Sequence, residues 1–255
     1  MGIALEVQEI RKEFGGIVAL DGVSLEAHFS QVTAVIGPNG AGKTTLFNII
    51  AGVHRPNRGE VKVLGTRLGN LPPQERVRLG VARTFQSALL FGNMSVLENV
   101  MVGRHTRGRG GFLQAALRTP GFRREEEEIF LQAMRYLNLV GLGARAGESA
   151  ASLPFGQQRL LAIARALATE PHVLLLDEPG AGLNALEKAE LAELILRVRG
   201  MGPAILLVEH DMELVMHTAD RVVVLDYGQK IAEGTPAEVQ RDKRVVAAYL
   251  GEEEE

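Results

Sequence analysis

The segment over residues 32–45 constrains the fold of this chain more than any other. An apolar run, Val32–Ile36, predicts a buried strand that leads directly into the loop Gly37-Pro38-Asn39-Gly40-Ala41-Gly42-Lys43-Thr44-Thr45. This loop matches the pattern G-x-x-x-x-G-K-T, and the following residues, Thr44–Ala51, predict a helix that Gly52 would end. A strand, a glycine-rich loop and a helix in this order predict a nucleotide-binding α/β domain.

The residue types in this loop indicate phosphate binding. Gly37, Gly40 and Gly42 would let the backbone turn so that successive N–H groups face the phosphates. We expect Lys43 to neutralise the β- and γ-phosphates of a nucleoside triphosphate, while the helix N-terminus adds partial positive charge. The other candidates in the loop are Asn39 and Thr45 as nucleotide contacts and Thr44 as a Mg²⁺ ligand.

A second apolar strand, His172–Leu176, ends in the acidic pair Asp177-Glu178. Open α/β sheets bind ligands beyond the carboxyl ends of their strands, so the pair would lie near the phosphate loop. Asp177 fits a role in holding hydrated Mg²⁺. Glu178 fits a general base that polarises the attacking water.

The bulk composition excludes several classes of function. The net charge of −3 over 255 residues does not suggest binding to nucleic acid. The absence of cysteine excludes disulfides, zinc–thiolate clusters and thiol nucleophiles. The sequence has neither the pattern of a signal peptide nor an uncharged apolar run long enough to span a membrane.

Strand and helix patterns divide the chain. Strand patterns recur in the first and last thirds, where they alternate with helices and predict a largely parallel sheet. The middle third shows helical spacing at 96–102 and 125–139. Between these segments, residues 104–124 are rich in Gly and Arg and predict an irregular insertion. That insertion is either a solvated basic loop or a contact with lipid or a partner.

Taken in order, these motifs resemble the ATP-binding subunits of ABC transporters over essentially the full chain. The resemblance implies a phosphate-loop NTPase core, an antiparallel β subdomain and an inserted helical subdomain, with ATP and Mg²⁺ as cofactors. Gln86 occupies the position of the family's Q-loop glutamine, which binds metal and water beside the nucleotide. His210 occupies the position of the switch histidine that contacts the γ-phosphate. Phe14 corresponds to the aromatic ring stacked on adenine; the alternative is core packing.

The signature segment departs from the family pattern. Most members read Leu-Ser-Gly-Gly-Gln, and this chain reads Leu153-Pro154-Phe155-Gly156-Gln157. Pro154 replaces the serine whose hydroxyl would reach the γ-phosphate held by a partner subunit, and proline is well suited to the first turn of a helix. The resemblance implies that Pro154, Gly156 and Gln157 still contact that nucleotide through the helix N-terminus.

The resemblance also implies the domain organisation and the partners. Residues 1–255 would form one ABC-type ATPase domain, with a nucleotide-binding core at 1–86 and 163–255 and a helical subdomain at 87–162. Among the subgroups of this family, the chain most resembles the ATPases of branched-chain amino-acid importers, because it shares motifs such as Pro154-Phe155-Gly156-Gln157-Gln158 with them. A second ATPase subunit (in a homodimer or heterodimer), transmembrane permeases and, indirectly, an external solute-binding protein would be its partners. It would lie at the cytoplasmic face of the membrane.

Two other interpretations remain open at this point. One is an ABC ATPase that acts on ribosomes or DNA, but such proteins usually carry two ATPase units or a long coiled coil. The other is an exporter ATPase for lipid or lipopolysaccharide, whose signature usually retains serine.

Overall fold

The computed structural model describes residues 2–84, 89–105 and 120–250. The chain divides into two compact units, one formed by residues 1–86 and 172–255 and the other by Ser87–Pro171. The predicted helical subdomain ends at residue 162. That position lies inside the continuous helix Phe155–Leu167, so the second unit extends past the helix to Pro171.

The first unit contains a six-stranded sheet that is mostly parallel. In sequence order its strands are β3 (Val32–Ile36), β6 (Val81–Arg83), β7 (Val173–Asp177), β8 (Ala204–Val208), β9 (Arg221–Asp226) and β10 (Gln229–Gly234). Their order across the sheet is β10-β9-β3-β8-β7-β6, and β10 is antiparallel to β9 while the other neighbours pair in parallel. The prediction of a largely parallel sheet is confirmed.

An antiparallel sheet forms the other β-structure of this unit. Its strands are β1 (Ile3–Phe14), β2 (Ile17–His28), β4 (Arg58–Val63) and β5 (Thr66–Arg67), in the order β2-β1-β4-β5. Apolar residues of β1 and β2 pack into a shared core with residues of β3 and β8. The antiparallel β subdomain expected from the family resemblance is therefore present.

Helices cover the parallel sheet and build the second unit. In the first unit they are α1 (Lys43–Ile50), α2 (Pro73–Arg78), α6 (Ala185–Gly200), α7 (Met212–Thr218), α8 (Pro236–Arg241) and α9 (Lys243–Leu250). In the second unit they are α3 (Val96–His105), α4 (Pro120–Leu139) and α5 (Phe155–Leu167). Every residue of β3, β7 and β8 is buried, as expected for parallel strands covered on both faces.

The limits of the predicted insertion at 104–124 need correction. Arg104 belongs to the last turn of α3, where its guanidinium pairs with Glu170 at 2.8 Å and with Glu128 at 3.4 Å. Residues 120–124 already belong to α4, which begins at Pro120, a residue type favoured at the first helical position. The rest of the insertion, 106–119, lies outside the described residues. Within the described parts of the chain, no helix is long and apolar enough to cross a membrane.

A buried arginine holds the carboxyl end of the helix that follows the phosphate loop. Arg76 is only 2% exposed, and its Nη1 donates to the carbonyl oxygens of Ile49 at 2.6 Å and Ile50 at 2.9 Å. Its Nε and Nη2 donate to the carbonyls of Leu71 and Gly69, each at 2.9 Å. Burial lowers the pKa of Arg76 from its ordinary value. The last carbonyls of a helix lack partners within the helix, so this guanidinium supplies charged donors at the end of α1, where the carbonyl of Ile49 also accepts from the N–H of Gly52 at 3.2 Å.

We expect the Arg76→Met substitution to lower the free energy of unfolding by about 3 kcal/mol, since several buried carbonyl oxygens would lose charged donors. Urea denaturation of the whole chain would measure this change. Arg78→Met is the matched control, because Arg78 is exposed and pairs with Glu75 on the same helix. The control should cost at most about 0.5 kcal/mol. Equal losses in the two variants would contradict a capping role for Arg76.

Candidate functional site

Three loops leave neighbouring strands at one edge of the parallel sheet. β8 lies between β3 and β7, and Val208 is level with both Val35 of β3 and Asp177 of β7. The glycine loop begins at Gly37, the acidic loop continues at Glu178, and the loop after β8 begins at Glu209. The sheet register therefore brings together segments that are far apart in sequence, at the edge where open α/β sheets bind ligands.

The glycine loop has the backbone that its residue types predicted. Gly37, Gly40 and Gly42 have φ angles of 148°, 80° and 99°, a region that side chains rarely adopt. A Cβ on Gly42 would also lie 2.6 Å from the carbonyl oxygen of Ala19, so this position has no room for a side chain. Lys43 is buried, and its Nζ donates to the carbonyls of Gly37 at 2.5 Å and Pro38 at 2.7 Å.

The start of α1 provides backbone donors and hydroxyl groups. Gly42 is the N-cap, and within the described residues no side chain caps this helix. Its first N–H groups and its dipole are therefore suited to an anion. Thr44 and Asn39 are exposed and Thr45 is half-buried. The arrangement agrees with the predicted nucleotide contacts of these residues, although their roles remain predictions.

Asp177 ends β7 and forms a buried ion pair that the sequence analysis did not predict. Arg83, at the end of β6, donates from Nη2 to Asp177 Oδ2 at 2.7 Å. The same guanidinium donates from Nη1 to Oδ1 of Asn48, on α1, at 2.6 Å. Arg83 thereby connects the predicted metal-directed acid with the helix of the glycine loop. The partners are 94 and 35 positions away in sequence, so only the position of a charged residue at the end of a short buried strand could have indicated this role.

Glu178 and His210 are in contact. Nε2 of His210 lies 2.7 Å from Oε1 of Glu178, and the backbone N–H of Glu178 donates to the carbonyl of Val208 at 2.9 Å. Glu178 adopts a left-handed backbone conformation with φ of 46°. Such a conformation costs on the order of 1–3 kcal/mol for a residue other than glycine. It persists only where the surrounding structure holds it in place, and such places are concentrated at functional sites. The structure thus pairs the predicted base with the predicted switch histidine.

Phe14 lies at the end of β1 and is 41% exposed, which rules out the alternative of core packing. Its ring meets that of His54 edge-on at 5.2 Å between centroids, and Nζ of Lys12 lies 4.7 Å from the ring centre. An exposed ring beside a cation is compatible with the predicted stacking on adenine, which remains a prediction. Gln86, the predicted Q-loop residue, lies outside the described residues.

The signature segment belongs to the second unit. Pro154 is the N-cap of α5 rather than its first helical residue, which corrects the expectation from sequence. Its ψ of 153° is extended, so the helix begins at the next position, and its carbonyl accepts from the N–H of Gln158 at 3.0 Å. Pro154 is exposed and Gly156 is half-buried. The side-chain carbonyl of Gln157 accepts a hydrogen bond from Nη1 of Arg145.

The described site has the features of a nucleotide-binding phosphate loop, with an acidic pair and a histidine at the same sheet edge. Comparison with known proteins identifies the class. The sequence profile of the family described as "ABC transporter" matches residues 20–181. A second profile, described as "Branched-chain amino acid ATP-binding cassette transporter", matches residues 229–255. The chain therefore belongs to the ABC transporter family and is an ABC-type ATPase subunit.

Individual relatives cover nearly the whole chain. The high-affinity branched-chain amino acid transport ATP-binding protein LivG of Salmonella typhimurium is 44% identical over 97% of this chain and 98% of its own length. The ADP conformation of MJ1267, an ATP-binding cassette of an ABC transporter, superposes with a TM-score of 0.85 at 33% identity, covering 98% of this chain and all of that one. A dimeric cassette, MJ0796 with ADP and phosphate, gives a TM-score of 0.77 at 26% identity, covering 91% of this chain and 98% of that one.

Proposed function

We propose that this protein hydrolyses ATP in a Mg²⁺-dependent reaction and so powers a branched-chain amino-acid importer. The observation that carries the catalytic part is the meeting of three loops at one sheet edge, with Nε2 of His210 2.7 Å from Oε1 of Glu178. Lys43 and the N–H groups of α1 bind the phosphates. The carboxylate of Glu178 accepts a proton from the attacking water, and His210 orients that carboxylate and contacts the γ-phosphate.

The residues at this edge fit Mg²⁺. This ion prefers oxygen ligands and is usually held by one or two carboxylates or hydroxyls together with substrate phosphates and water. Within the described parts of the chain, no group of three or more acidic, histidine or cysteine side chains could hold a metal alone. We assign the protein ligands to Thr44, Asp177 and Gln86. When bound, the ion would neutralise charge on the β- and γ-phosphates.

A second ATPase subunit would complete the reaction. The exposed signature turn at the start of α5 has a helix N-terminus without a side-chain cap among the described residues. We propose that Pro154, Gly156 and Gln157 present this N-terminus to the ATP of the partner subunit. The dimeric cassette among the solved relatives supports this arrangement.

The transport role is proposed from the relatives. LivG is named for high-affinity branched-chain amino acid transport, and the profile over residues 229–255 carries the same substrate in its description. Transmembrane permeases at the cytoplasmic face of the membrane would be the direct partners, and an external solute-binding protein an indirect one. Leu89 and Phe91, 62% and 48% exposed, offer an apolar surface for a permease. None of the relatives described above is named as an ATPase that acts on ribosomes or DNA, or as an exporter of lipid or lipopolysaccharide, so they support neither of those interpretations.

Substitution of Lys43 by Ala tests the ATPase assignment. Losing one charge-assisted phosphate contact should weaken ATP binding by about 1.5–3 kcal/mol, or roughly 10-fold to 150-fold, and turnover should fall with it. Equilibrium binding of a fluorescent ATP analogue and phosphate release, each with and without Mg²⁺, would measure both effects. Lys230→Ala is the control, because Lys230 pairs with Glu233 on β10 and lies on no strand that carries the site.

The assignment fails if the Lys43→Ala variant turns over ATP as fast as the natural protein. The importer role has a separate test, which is co-purification with the permease subunits encoded beside this chain. If the natural protein hydrolyses ATP but never binds those permeases, the ATPase assignment stands and the importer assignment does not.

A further inference from the structure

One buried carboxylate at the site has no role in the mechanism above. Glu209 directly follows β8 and is only 3% exposed. Its Oε1 accepts from the backbone N–H of Gly180 at 2.5 Å, and its Oε2 accepts from the backbone N–H of His210 at 3.1 Å. Burial raises the pKa of Glu209, while hydrogen bonds from the backbone of Gly180, His210 and Asp211 act in the opposite direction. A group that is costly to bury is thus held by backbone donors.

These donors belong to two different loops. Gly180 lies two residues after Glu178, in the loop that follows β7, whereas His210 lies in the loop that follows β8. A Cβ at position 180 would approach Oε1 of Glu209 to 2.9 Å and Cδ2 of Leu214 to 3.0 Å. The backbone of the acidic loop therefore passes closer to the Glu209 carboxylate than a residue with a side chain would allow.

We propose that Glu209 is a positioning residue that cross-links these loops and thereby holds the carboxylate of Glu178 against the imidazole of His210. When the backbone is fixed at Gly180 and at His210, the side chains of Glu178 and His210 have little freedom to move apart. It also supports the left-handed backbone of Glu178, which would relax if the following turn could move. The proposal rests on the proposed ATPase function, in which Glu178 and His210 act together.

The chemistry of the linkage requires a carboxylate. Its two oxygens accept from N–H groups of two different loops, and neither oxygen carries a proton that would face a donor. A glutamine of the same shape has one acceptor, so its NH₂ group would oppose a backbone N–H at Gly180 or at His210. Glu209→Gln therefore breaks one of the two links with almost no change in volume.

The test compares turnover with ATP binding. Glu209→Gln should lower kcat by about 10-fold to 100-fold, as expected when a catalytic group is misplaced by a fraction of an ångström to 1 Å. Affinity for ATP without Mg²⁺ should stay within about twofold, because the phosphate loop is untouched. Asp220→Asn is the control, since Asp220 also accepts a backbone N–H, from Val32 at 2.8 Å, and pairs with Arg199 at 2.8 Å, but holds no loop that carries Glu178 or His210.

A second comparison separates positioning from general destabilisation. In a Glu178→Gln background, single-turnover measurements should show that Glu209→Gln causes less than about a twofold further loss, because residues that act as a unit are not additive. Gly180→Ala gives an independent variant, in which the added methyl group displaces the carboxylate, and it should show the same pattern.

Several outcomes would overturn the proposal. It is wrong if Glu209→Gln and Gly180→Ala keep kcat near that of the natural protein, or if their losses are equal with and without Glu178. It is also wrong if Asp220→Asn loses as much turnover as Glu209→Gln. If the natural protein shows no turnover that depends on Lys43, the proposed function itself has failed, and this result is distinct from the others.

Discussion

Replacement of Glu178 by Gln should reduce ATP turnover by about 100-fold or more, the typical contribution of a general base. The amide keeps the size of the side chain and can still contact His210, whose Nε2 lies 2.7 Å from Oε1 of Glu178. It can no longer take a proton from water. ATP binding should be retained, because the glycine loop and Lys43 lie on a different strand connection. The variant should therefore accumulate ATP-bound dimers.

Phosphate release and light scattering with MgATP would measure the two effects on the same protein. Glu190→Gln is the control, because Glu190 is an exposed residue of α6 that forms no part of the site, and it should turn over ATP normally. Normal turnover in Glu178→Gln would remove Glu178 as the base. A Glu178→Gln protein that stays monomeric with MgATP, both alone and with its partner ATPase, would contradict the dimer.

Local pattern explains why the phosphate loop was predicted well. Val32–Ile36 is a strand with the predicted bounds, and the helix after it begins one residue earlier than predicted. An apolar run, three glycines at positive φ and a short amphipathic helix all act within a few residues of one another. The strands β5, β6 and β10 were not predicted. β6 has only three residues, and β10 is an edge strand with polar residues that resemble a turn.

The parts of the site that the sequence analysis missed depend on distant contacts. Arg83 donates a hydrogen bond to Asp177, which is 94 positions away in sequence, and Glu209 accepts one from Gly180, which is 29 positions away. Neither residue stands in a local pattern that separates it from an ordinary charged residue at a strand end. Their roles follow from the sheet order, which places β6 beside β7 and β7 beside β8. Strand order across a sheet is set by long-range packing, so periodicity along the chain does not reveal it.

The second large loss of turnover is expected from a substitution in the signature segment. Gly156→Trp should lower turnover by about 100-fold or more, since a bulky side chain at the start of α5 would occupy the space proposed for the partner's γ-phosphate. Binding of ATP to the chain's own phosphate loop should be unchanged, because Lys43 and the glycine loop belong to the other unit. Gly147→Trp is the control, since a Cβ at Gly147 meets no atom within 4 Å.

Pro154→Ala should have a much smaller effect than Gly156→Trp. Pro154 contributes a fixed φ of −54° before the helix, and its carbonyl accepts from the N–H of Gln158, a bond that alanine keeps. Losing only the backbone restriction of proline costs about 0.4–1 kcal/mol of folding stability, mainly through the unfolded chain, so turnover of the folded variant should fall by less than about tenfold. Steady-state turnover of both variants, with melting temperatures to confirm folding, would decide the matter. If Pro154→Ala is the more damaging change, the pyrrolidine ring itself contacts the partner subunit, and the helix N-terminus alone does not form the anion site.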